Sequence, residues 1–454
     1  MGIIPQAEQK KAREEAAGNE HKETAVTDAF DPYVPEMIET RRRIHARPEL
    51  GWTEFETTAI AAERLESLGF EVRLGREVVN PETAMGRDEA QIAAAVERAR
   101  QAGVPEELLA RMDGITGALG VLRTGRPGPV VAYRFDMDAL PIQESADPSH
   151  LPAAEGFASA FPGIMHACGH DAHTAVGLAF ARWLADHRAE LRGTVKLLFQ
   201  PAEEGTRGAA GVVGSGCMDG IDWFFASHAG TVCRTGELGL CRDVYLATAK
   251  FDADFTGVAS HAGEDPEKGR SALIAATNAV LMLNAIPRSG QGMTRISVGR
   301  LTAGEARNIT PVHAHMELEV RGGTHEANRY MCESAVRVIE GCAATSGVSV
   351  KITKVGEATT LPVNEEAIKV MREAAEAVPG ANVRELNEKL ASEDCTLISR
   401  HVAGQGGRCG FFIFGCEHKG HHRPDFDVQD RVNLKPALEV FAGIARRLSM
   451  DSVK

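Results

Sequence analysis

The chain has 454 residues, enough for two to three domains that each bury a hydrophobic core. Its 63 acidic and 50 basic side chains give a formal net charge of −13, and such a chain lacks the basic surface that nucleic-acid binding needs. The longest apolar run, residues 272–286, is too short to span a bilayer, and the N-terminus lacks the pattern of a secretory signal. We therefore expect a cytoplasmic protein that binds neither nucleic acid nor membrane.

The nine cysteines also argue against a secreted disulfide scaffold. Their number is odd, they run from Cys168 to Cys416, and they form no CxxC pair. Most are expected to be small buried apolar side chains. Cys168 is the exception, because of its neighbours in the chain.

The first part of the chain predicts a tail followed by helices. Residues 1–28 are rich in Ala, Glu and Lys, which is typical of a solvated helix or a disordered tail. A helix is predicted from Val34 until Pro48 stops it, and a second ends at Gly69, before the strand EVRLG. Residues 88–112 predict a charged helix or helix pair.

The middle of the chain predicts an α/β sheet. GALGVLRTG and PVVAYRFDMDAL predict a strand pair joined by a Gly/Pro turn at residues 125–128. A helix after His173 and the buried strand TVKLLFQP follow. This alternation indicates a sheet covered by helices on both faces.

From Lys250 onwards the pattern changes to a βαββαβ-like order over about 110 residues, which is typical of a small α+β domain. Helices and strands resume at Asn364 and end with a helix at residues 434–448. The predicted domains are a tail (1–28), a catalytic domain in two parts (29–247 and 361–454) and an inserted domain (248–360).

Half of the 16 histidines fall in four short stretches: HACGHDAH, two copies of SHAG, and HKGHH. A single histidine there is more often a hydrogen-bonded residue than a ligand. Cys168 and His170, however, stand two apart in a glycine-containing turn, the pair Glu203-Glu204 ends a predicted strand, and His228 ends another apolar run. Because sites in open α/β sheets gather at the carboxyl ends of strands, these turns could converge.

The side chains in these turns suit a metal ion. A thiolate, imidazoles and a carboxylate favour Zn²⁺, and Mn²⁺ fits where carboxylate and water dominate. One of two adjacent glutamates can ligate the metal while the other takes a proton from water. On spacing alone, a solvated acidic turn explains Glu203-Glu204 equally well.

The motifs HACGHDAH and QPAEEG, with RNITP, ASEDCTL and GHHRPDFDVQD, resemble the M20 metallopeptidase/amidohydrolase family in its aminoacylase-like branch. The resemblance runs from about Pro35 to the C-terminus, and LGREVVN narrows it toward an aminobenzoyl-glutamate subgroup. It implies an α/β fold, a mixed-sheet α/β/α catalytic domain of the phosphorylase/hydrolase-like type. An inserted α+β, ferredoxin-like lid and dimerisation domain is implied as well.

The resemblance also implies roles for individual residues. Glu203 matches the general acid/base, and Asp138 an acid that orients the site. His261 matches a histidine that reaches the active site of a partner subunit, and Asn308 and Arg321 match lid residues that hold the substrate carboxylate. Two divalent metal ions, Mn²⁺ or Zn²⁺, are implied, with five ligands: Cys168, His170, Glu204, His228 and His422.

The other residues near these motifs are not assigned to the metal site or to catalysis. His421 stands beside His422, and the family spacing to Phe426 favours His422 as the ligand. His166 and His173 are predicted to pack or to support the ligands, and Arg207 is left open between substrate and a neighbouring carboxylate. The remaining interpretations are structural ones: Arg41 to Arg43 form a solvated helix face, and Glu393-Asp394 supports the fold.

The activity implied is hydrolysis of the amide bond of an N-acyl, foremost an aroyl, amino acid such as p-aminobenzoyl-glutamate, a small molecule. The alternatives are hydrolysis of another amide, deamination of an aromatic amine, and a non-catalytic partner subunit. Gln429-Asp430 replaces an acid pair that near relatives tend to carry, which leaves the substrate open. The expected assembly is a homodimer, or a heteromer with a homologous subunit.

Overall fold

The computed structural model describes residues 28–389 and 391–450. The predicted tail therefore lies outside the described residues, apart from Asp28. No helix within them is long and apolar enough to cross a membrane. The helices are α1 Val34–His45, α2 Phe55–Ser67, α3 Glu89–Gln101, α4 Glu106–Met112, α5 Leu151–Glu155, α6 His170–Asp186, α7 Ala209–Gly214, α8 Ala272–Asn284, α9 His325–Ser346, α10 Glu365–Ala375, α11 Cys395–Gly404 and α12 Asp430–Ser449.

The strands form two separate sheets. They are β1 Glu71–Leu74, β2 Ala118–Arg123, β3 Val130–Asp136, β4 Thr194–Gln200, β5 Trp223–Ala229, β6 Glu237–Cys241, β7 Ala247–Thr256, β8 Thr294–Ala303, β9 His313–Gly322, β10 Ser349–Ala358, β11 Asn382–Leu386 and β12 Arg408–Phe414. The larger, mixed sheet has the order β1-β2-β4-β3-β5-β12-β6-β11, and the smaller one the order β10-β7-β9-β8. The fold is therefore a mixed α/β fold, as predicted.

The predicted pairing of β2 with β3 is wrong. Strand β4 lies between them, antiparallel to β2 and parallel to β3. Strand β3 is buried along nearly its whole length, which is typical of a central parallel strand with neighbours on both sides. The Gly/Pro turn at residues 125–128 therefore leads across a strand position instead of closing a hairpin.

Four parallel strands, β4, β3, β5 and β12, form the centre of the large sheet. Helix α6 packs closely on them, because Gly177 has no side chain: an added Cβ would lie 2.6 Å from the ring of Phe135. The carboxyl ends of the four strands and the start of α6 thus meet at one edge of the sheet.

The small sheet is antiparallel, and helices α8 and α9 cover one of its faces. Its elements follow the predicted order of strand, helix, two strands, helix and strand. Along β7, Phe251 and Phe255 belong to this covered face and its own hydrophobic core, while Lys250 and Asp252 point to the opposite face. The predicted domain boundaries stay a prediction.

The uncovered side of the small sheet touches the loop that follows β4. The backbone N–H of Glu357 donates to the carbonyl of Thr206 at 2.8 Å. The neighbouring Gly356 lies so close to this loop that an added Cβ would stand 2.3 Å from the Gly205 oxygen. The loop that carries Glu203 and Glu204 is therefore held between the two sheets.

Candidate active site

The central strands deliver polar side chains to one place. Asp138 follows β3, Glu203 and Glu204 follow β4, and His228 stands near the end of β5. His422 lies in the loop after β12. All of them are at the carboxyl edge of the parallel strands, where open α/β sheets form their sites.

The start of helix α6 supplies two more side chains. Gly169 caps the helix with φ of +91°, a conformation that glycine adopts without strain. An added Cβ there would stand 3.2 Å from the Ala229 Cβ, so this turn lies directly on strand β5. Cys168 and His170, on either side of the glycine, are thereby both directed into the site.

The predicted metal ligands lie close together. The Cys168 sulfur is 3.4 Å from His228 Nε2, and His422 Nε2 is 3.3 Å from Glu204 Oε1. Donor atoms of Cys168, Glu204 and His422 lie within 4.8 Å of one another, and so do those of His170, Glu203 and Glu204. Glu204 belongs to both groups and links them.

Two of the histidines are oriented so that one nitrogen lone pair is available. Nδ1 of His170 donates to Asp138 at 3.2 Å, and Nδ1 of His228 donates to the Ala229 carbonyl at 2.8 Å. Their Nε2 atoms therefore carry lone pairs in the neutral rings. Within the described residues, His170 Nε2 and Glu204 Oε1 are buried without a hydrogen-bond partner. This donor set fits divalent cations.

Two other histidines have both nitrogens engaged by the protein. Nδ1 of His173 donates to Asp136, and its Nε2 accepts the Ala229 N–H at 2.9 Å. Nε2 of His421 accepts the Thr231 N–H at 3.0 Å, so its Nδ1 carries the proton and faces the Cys168 sulfur at 3.4 Å. Neither ring keeps a lone pair for a metal.

His422 differs from His421 in backbone and in exposure. Its φ is +59°, which side-chain-bearing residues rarely adopt, and its N–H donates to the Ala167 carbonyl at 2.9 Å. Backbone strain of this kind persists at sites where the surroundings fix it. The nearby Glu204 carboxylate raises the pKa of His422, whereas burial and the neighbouring His418 lower the pKa of His421 to about 3.

We expect His422→Ala to lower the affinity for divalent metal by at least about 100-fold, because it removes a side chain that faces Glu204. His421→Gln keeps an acceptor for the Thr231 N–H and should leave metal content unchanged. Metal analysis of both purified variants after dialysis measures the difference. Loss of metal from His421→Gln alone would show that the two roles are exchanged.

Glu203 is buried beside these donors. Its Oε2 lies 3.9 Å from His170 Nε2. Asp138 fixes the backbone here, since its carboxylate accepts the N–H groups of Glu203 and Glu204 at 3.0 and 2.9 Å. Burial, together with the carboxylates of Glu393 and Glu204, raises the pKa of Glu203 well above its ordinary value. Such a carboxyl group is suited to exchanging protons near neutral pH.

Arg134, to which no sequence motif points, supports this part of the site. Its buried guanidinium donates to Asp136 at 2.6 Å, to Glu393 at 3.0 Å and to Asp394 at 3.3 Å. Asp394 also accepts the N–H groups that begin helix α7. A lone arginine inside the apolar strand VVAYRFD is the signal that could have identified it.

A second buried network lies behind the start of α6, and here the prediction for Arg41 is wrong. Arg41 is buried and donates to Asp171 and Asp427, both at 2.7 Å, while Arg43 is exposed as predicted. The helix-face pattern could not show that α6 and the loop before α12 place acids against this position. His45 extends the network by binding Asp171 at 2.7 Å.

Glu144 lies at the end of this network, and because of it we expect the stability of the protein to depend on pH. Burial alone would raise the pKa of Glu144. Hydrogen bonds from His150 and His45 outweigh it and lower the pKa from its ordinary value of 4.5 to about 2. The stabilisation that the ionised Glu144 carboxylate gives the folded protein is therefore complete above pH 4.5 and is lost as the pH falls toward 2. In urea titrations, the advantage of the wild type over Glu144→Gln should shrink by roughly 2–3 kcal/mol between pH 6 and pH 2. A constant difference would contradict this.

A cavity of about 420 Å³ opens beside the metal-ligand candidates. Glu203, Glu204 and His422 line one side, and Arg321 and Lys250 from the small sheet line the other. Of the predicted substrate residues, only Arg321 is here. His261 and Asn308 are exposed on the small-sheet unit and do not line the cavity.

The sequence is similar to two named hydrolases over most of its length. It is 44% identical over 414 residues to the indole-3-acetyl-aspartic acid hydrolase of Enterobacter agglomerans, covering 90% of this chain and 95% of that protein. It is 42% identical over 416 residues to one subunit of the p-aminobenzoyl-glutamate hydrolase of Escherichia coli K12, covering 90% and 95%.

Two solved structures have the same fold. An aminobenzoyl-glutamate utilization protein from Klebsiella pneumoniae superposes with a TM-score of 0.79 at 37% identity, covering 92% of this chain and 97% of that one. A Bacillus subtilis protein described as a dinuclear metal binding peptidase superposes with a TM-score of 0.63 at 28% identity, covering 91% and 98%.

A mixed sheet with clustered thiol, imidazole and carboxylate donors at its carboxyl edge, together with the similarity of the chain to named hydrolases, defines a metal-dependent amidohydrolase. The chain belongs to peptidase family M20/M25/M40, which matches residues 132–447.

Proposed function

We propose that this protein hydrolyses the amide bond of N-acyl amino acids, foremost aroyl conjugates such as p-aminobenzoyl-glutamate. The observation that carries the proposal is the convergence of the five predicted ligands around Glu203, with partnerless lone pairs on His170 and Glu204. The names of these two relatives support the substrate class, since both refer to conjugates of an acidic amino acid.

Five side chains would hold two divalent cations, Mn²⁺ or Zn²⁺: Cys168, His170, Glu204, His228 and His422. When bound, such cations supply Lewis-acid polarisation of the amide carbonyl and lower the pKa of water. Asp138 positions the site for them, because it binds both the His170 ring and the backbone of the two glutamates.

Glu203 is the proton carrier in this proposal. Its carboxylate accepts a proton from the attacking water and then delivers it to the nitrogen of the leaving amine. Its position matches this double use, because its carboxylate lies beside the proposed metal ligands, 3.9 Å from His170 Nε2. The burial of Glu203 also keeps bulk water away from the proton in transit.

The cavity opposite Glu203 would hold the amino-acid part of the substrate. Its volume of about 420 Å³ lies in the range of small-molecule sites. Arg321 presents a planar guanidinium that can bind a carboxylate through two parallel hydrogen bonds, a geometry that lysine does not reproduce.

The unit of residues 248–360 would act as a lid and as the contact with a second subunit. Helix α8 exposes the apolar side chains of Ile274, Leu281 and Met282, by 55, 66 and 53%. Such a patch indicates an interaction surface. A second copy would cover this patch and bring its own His261 to the cavity. A homologous subunit, which the name of the Escherichia coli relative suggests, would do the same.

The proposal is tested with the purified full chain, stripped of metal and reloaded with Mn²⁺ or Zn²⁺. Release of the amino acid from p-aminobenzoyl-glutamate and from indole-3-acetyl-aspartate is followed by chromatography, with an aminoaromatic acid as the deamination control. Metal-dependent release from either conjugate supports the proposal. No release from any N-acyl amino acid, or ammonia from the control alone, would overturn it. Light scattering on the same preparation gives the number of subunits.

A further inference from the structure

Lys250 occupies a position in the cavity wall to which no role has yet been given. It lies on β7, where its neighbours Ala249 and Phe251 point into the helix-covered core, so its own side chain points the other way. That face of the small sheet looks onto the glutamates of the large one, and Lys250 lines the cavity together with Thr248 and Arg321.

The direction of the Lys250 side chain is set by its surroundings. Gly356 lies beside it on β10, and an added Cβ there would stand 3.2 Å from the Lys250 Cδ. The side chain therefore passes over a glycine on its way to the cavity. Burial lowers the pKa of Lys250, and the carboxylates of Glu203 and Glu319 oppose that shift.

The ammonium group of Lys250 has no hydrogen bond and no ion pair with any residue that the structure describes. A partly buried cation without a partner costs free energy, and a bound anion would remove that cost. Arg321 is different, because Glu319 already takes two of its donors, at 2.8 and 3.1 Å. On the small-sheet side the cavity thus presents two cations, of which only Arg321 is paired with a carboxylate of its own strand.

We infer that Lys250 binds the side-chain carboxylate of the substrate and so selects conjugates of dicarboxylic amino acids, while Arg321 binds the α-carboxylate. The inference rests on the proposed function and names the substrate class of the same cavity. A conjugate with one carboxylate would satisfy Arg321 and leave Lys250 without a partner. A conjugate of glutamate or aspartate would satisfy both.

Two substrates of the same shape test the inference: p-aminobenzoyl-glutamate and p-aminobenzoyl-glutamine, which differ only in the charge of the side-chain end. Wild-type kcat/KM should favour the glutamate conjugate by at least about tenfold. Lys250→Met keeps the length of the side chain and should lower kcat/KM for the glutamate conjugate by roughly 10- to 100-fold. The value for the glutamine conjugate should change by less than about threefold.

Two further variants serve as controls. Lys250→Arg keeps the charge and should keep the preference for the glutamate conjugate. Lys351→Met removes a lysine from the exposed end of β10, where it pairs in register with Asp254. This variant should leave kcat/KM for both substrates unchanged.

The outcomes separate the inference from the proposed function. An equal fall for both substrates in Lys250→Met would mean that Lys250 acts on the catalytic glutamates, and would overturn the inference. A wild type that hydrolyses the glutamine conjugate as well as the glutamate conjugate would also overturn it, yet would support the proposed function. Hydrolysis of no conjugate at all would overturn both.

Discussion

Replacement of Glu203 by glutamine is expected to lower kcat by about 10²- to 10⁴-fold, because the amide can neither accept the proton of the attacking water nor return it. The metal content should stay near that of the wild type, since the five proposed ligands are untouched. Turnover of p-aminobenzoyl-glutamate and elemental analysis on the same preparation measure both quantities.

Glu204→Gln is the matched control, one residue along the same loop. Glu204 belongs to both groups of donor atoms, so this variant should lose metal as well as turnover. A Glu203→Gln enzyme that keeps more than about a tenth of wild-type kcat would show that another group carries the proton.

Replacement of Arg134 by methionine is expected to give the largest loss of stability, about 3–5 kcal/mol. The guanidinium is fully buried, and its removal leaves the buried acids Asp136, Glu393 and Asp394 without their cation. Urea denaturation of the wild type and the variant at pH 7 measures the difference in the free energy of unfolding.

Arg300→Met is the control, because the ion pair of Arg300 with Glu317 is solvent-exposed on both sides and should contribute less than about 1 kcal/mol. If Arg134→Met unfolds at the same urea concentration as this control, the three acids are not dependent on Arg134. The variant should also regain stability at low pH relative to the wild type, since protonation removes the unpaired charges.

The sequence predicted most elements because their patterns are local. The helix that Pro48 was expected to stop, the helix pair within residues 88–112 and the strand-helix order after Lys250 all depend on neighbouring residues. The pairing of strands does not depend on neighbouring residues. Nothing near Gly125 indicates that β4, some 70 residues later in the chain, enters between β2 and β3.

In the candidate site, too, the residues that stand in local motifs could be predicted and the isolated ones could not. Cys168, His170 and the two glutamates stand in motifs, and the structure brings them together with His228 and His422. The family spacing to Phe426 already favours His422 over His421, whereas their different hydrogen bonds, to Ala167 and Thr231, could not be predicted from any spacing. Arg134 and Lys250 were missed, since each is a single charged residue in a strand whose importance arises from partners far away in the sequence.

The strand order has a consequence for how the protein is made. Strand β12 is the last strand among the described residues, yet it lies between β5 and β6, which follow one another in the sequence. During synthesis, β5 and β6 leave the ribosome about 170 residues before the strand that separates them. Until β12 is made, the edges of β5 and β6 that pair with it stay unpaired, and unpaired strand edges are prone to aggregation. The loop with His422 follows β12, so His422 is the last of the proposed site residues to be synthesised.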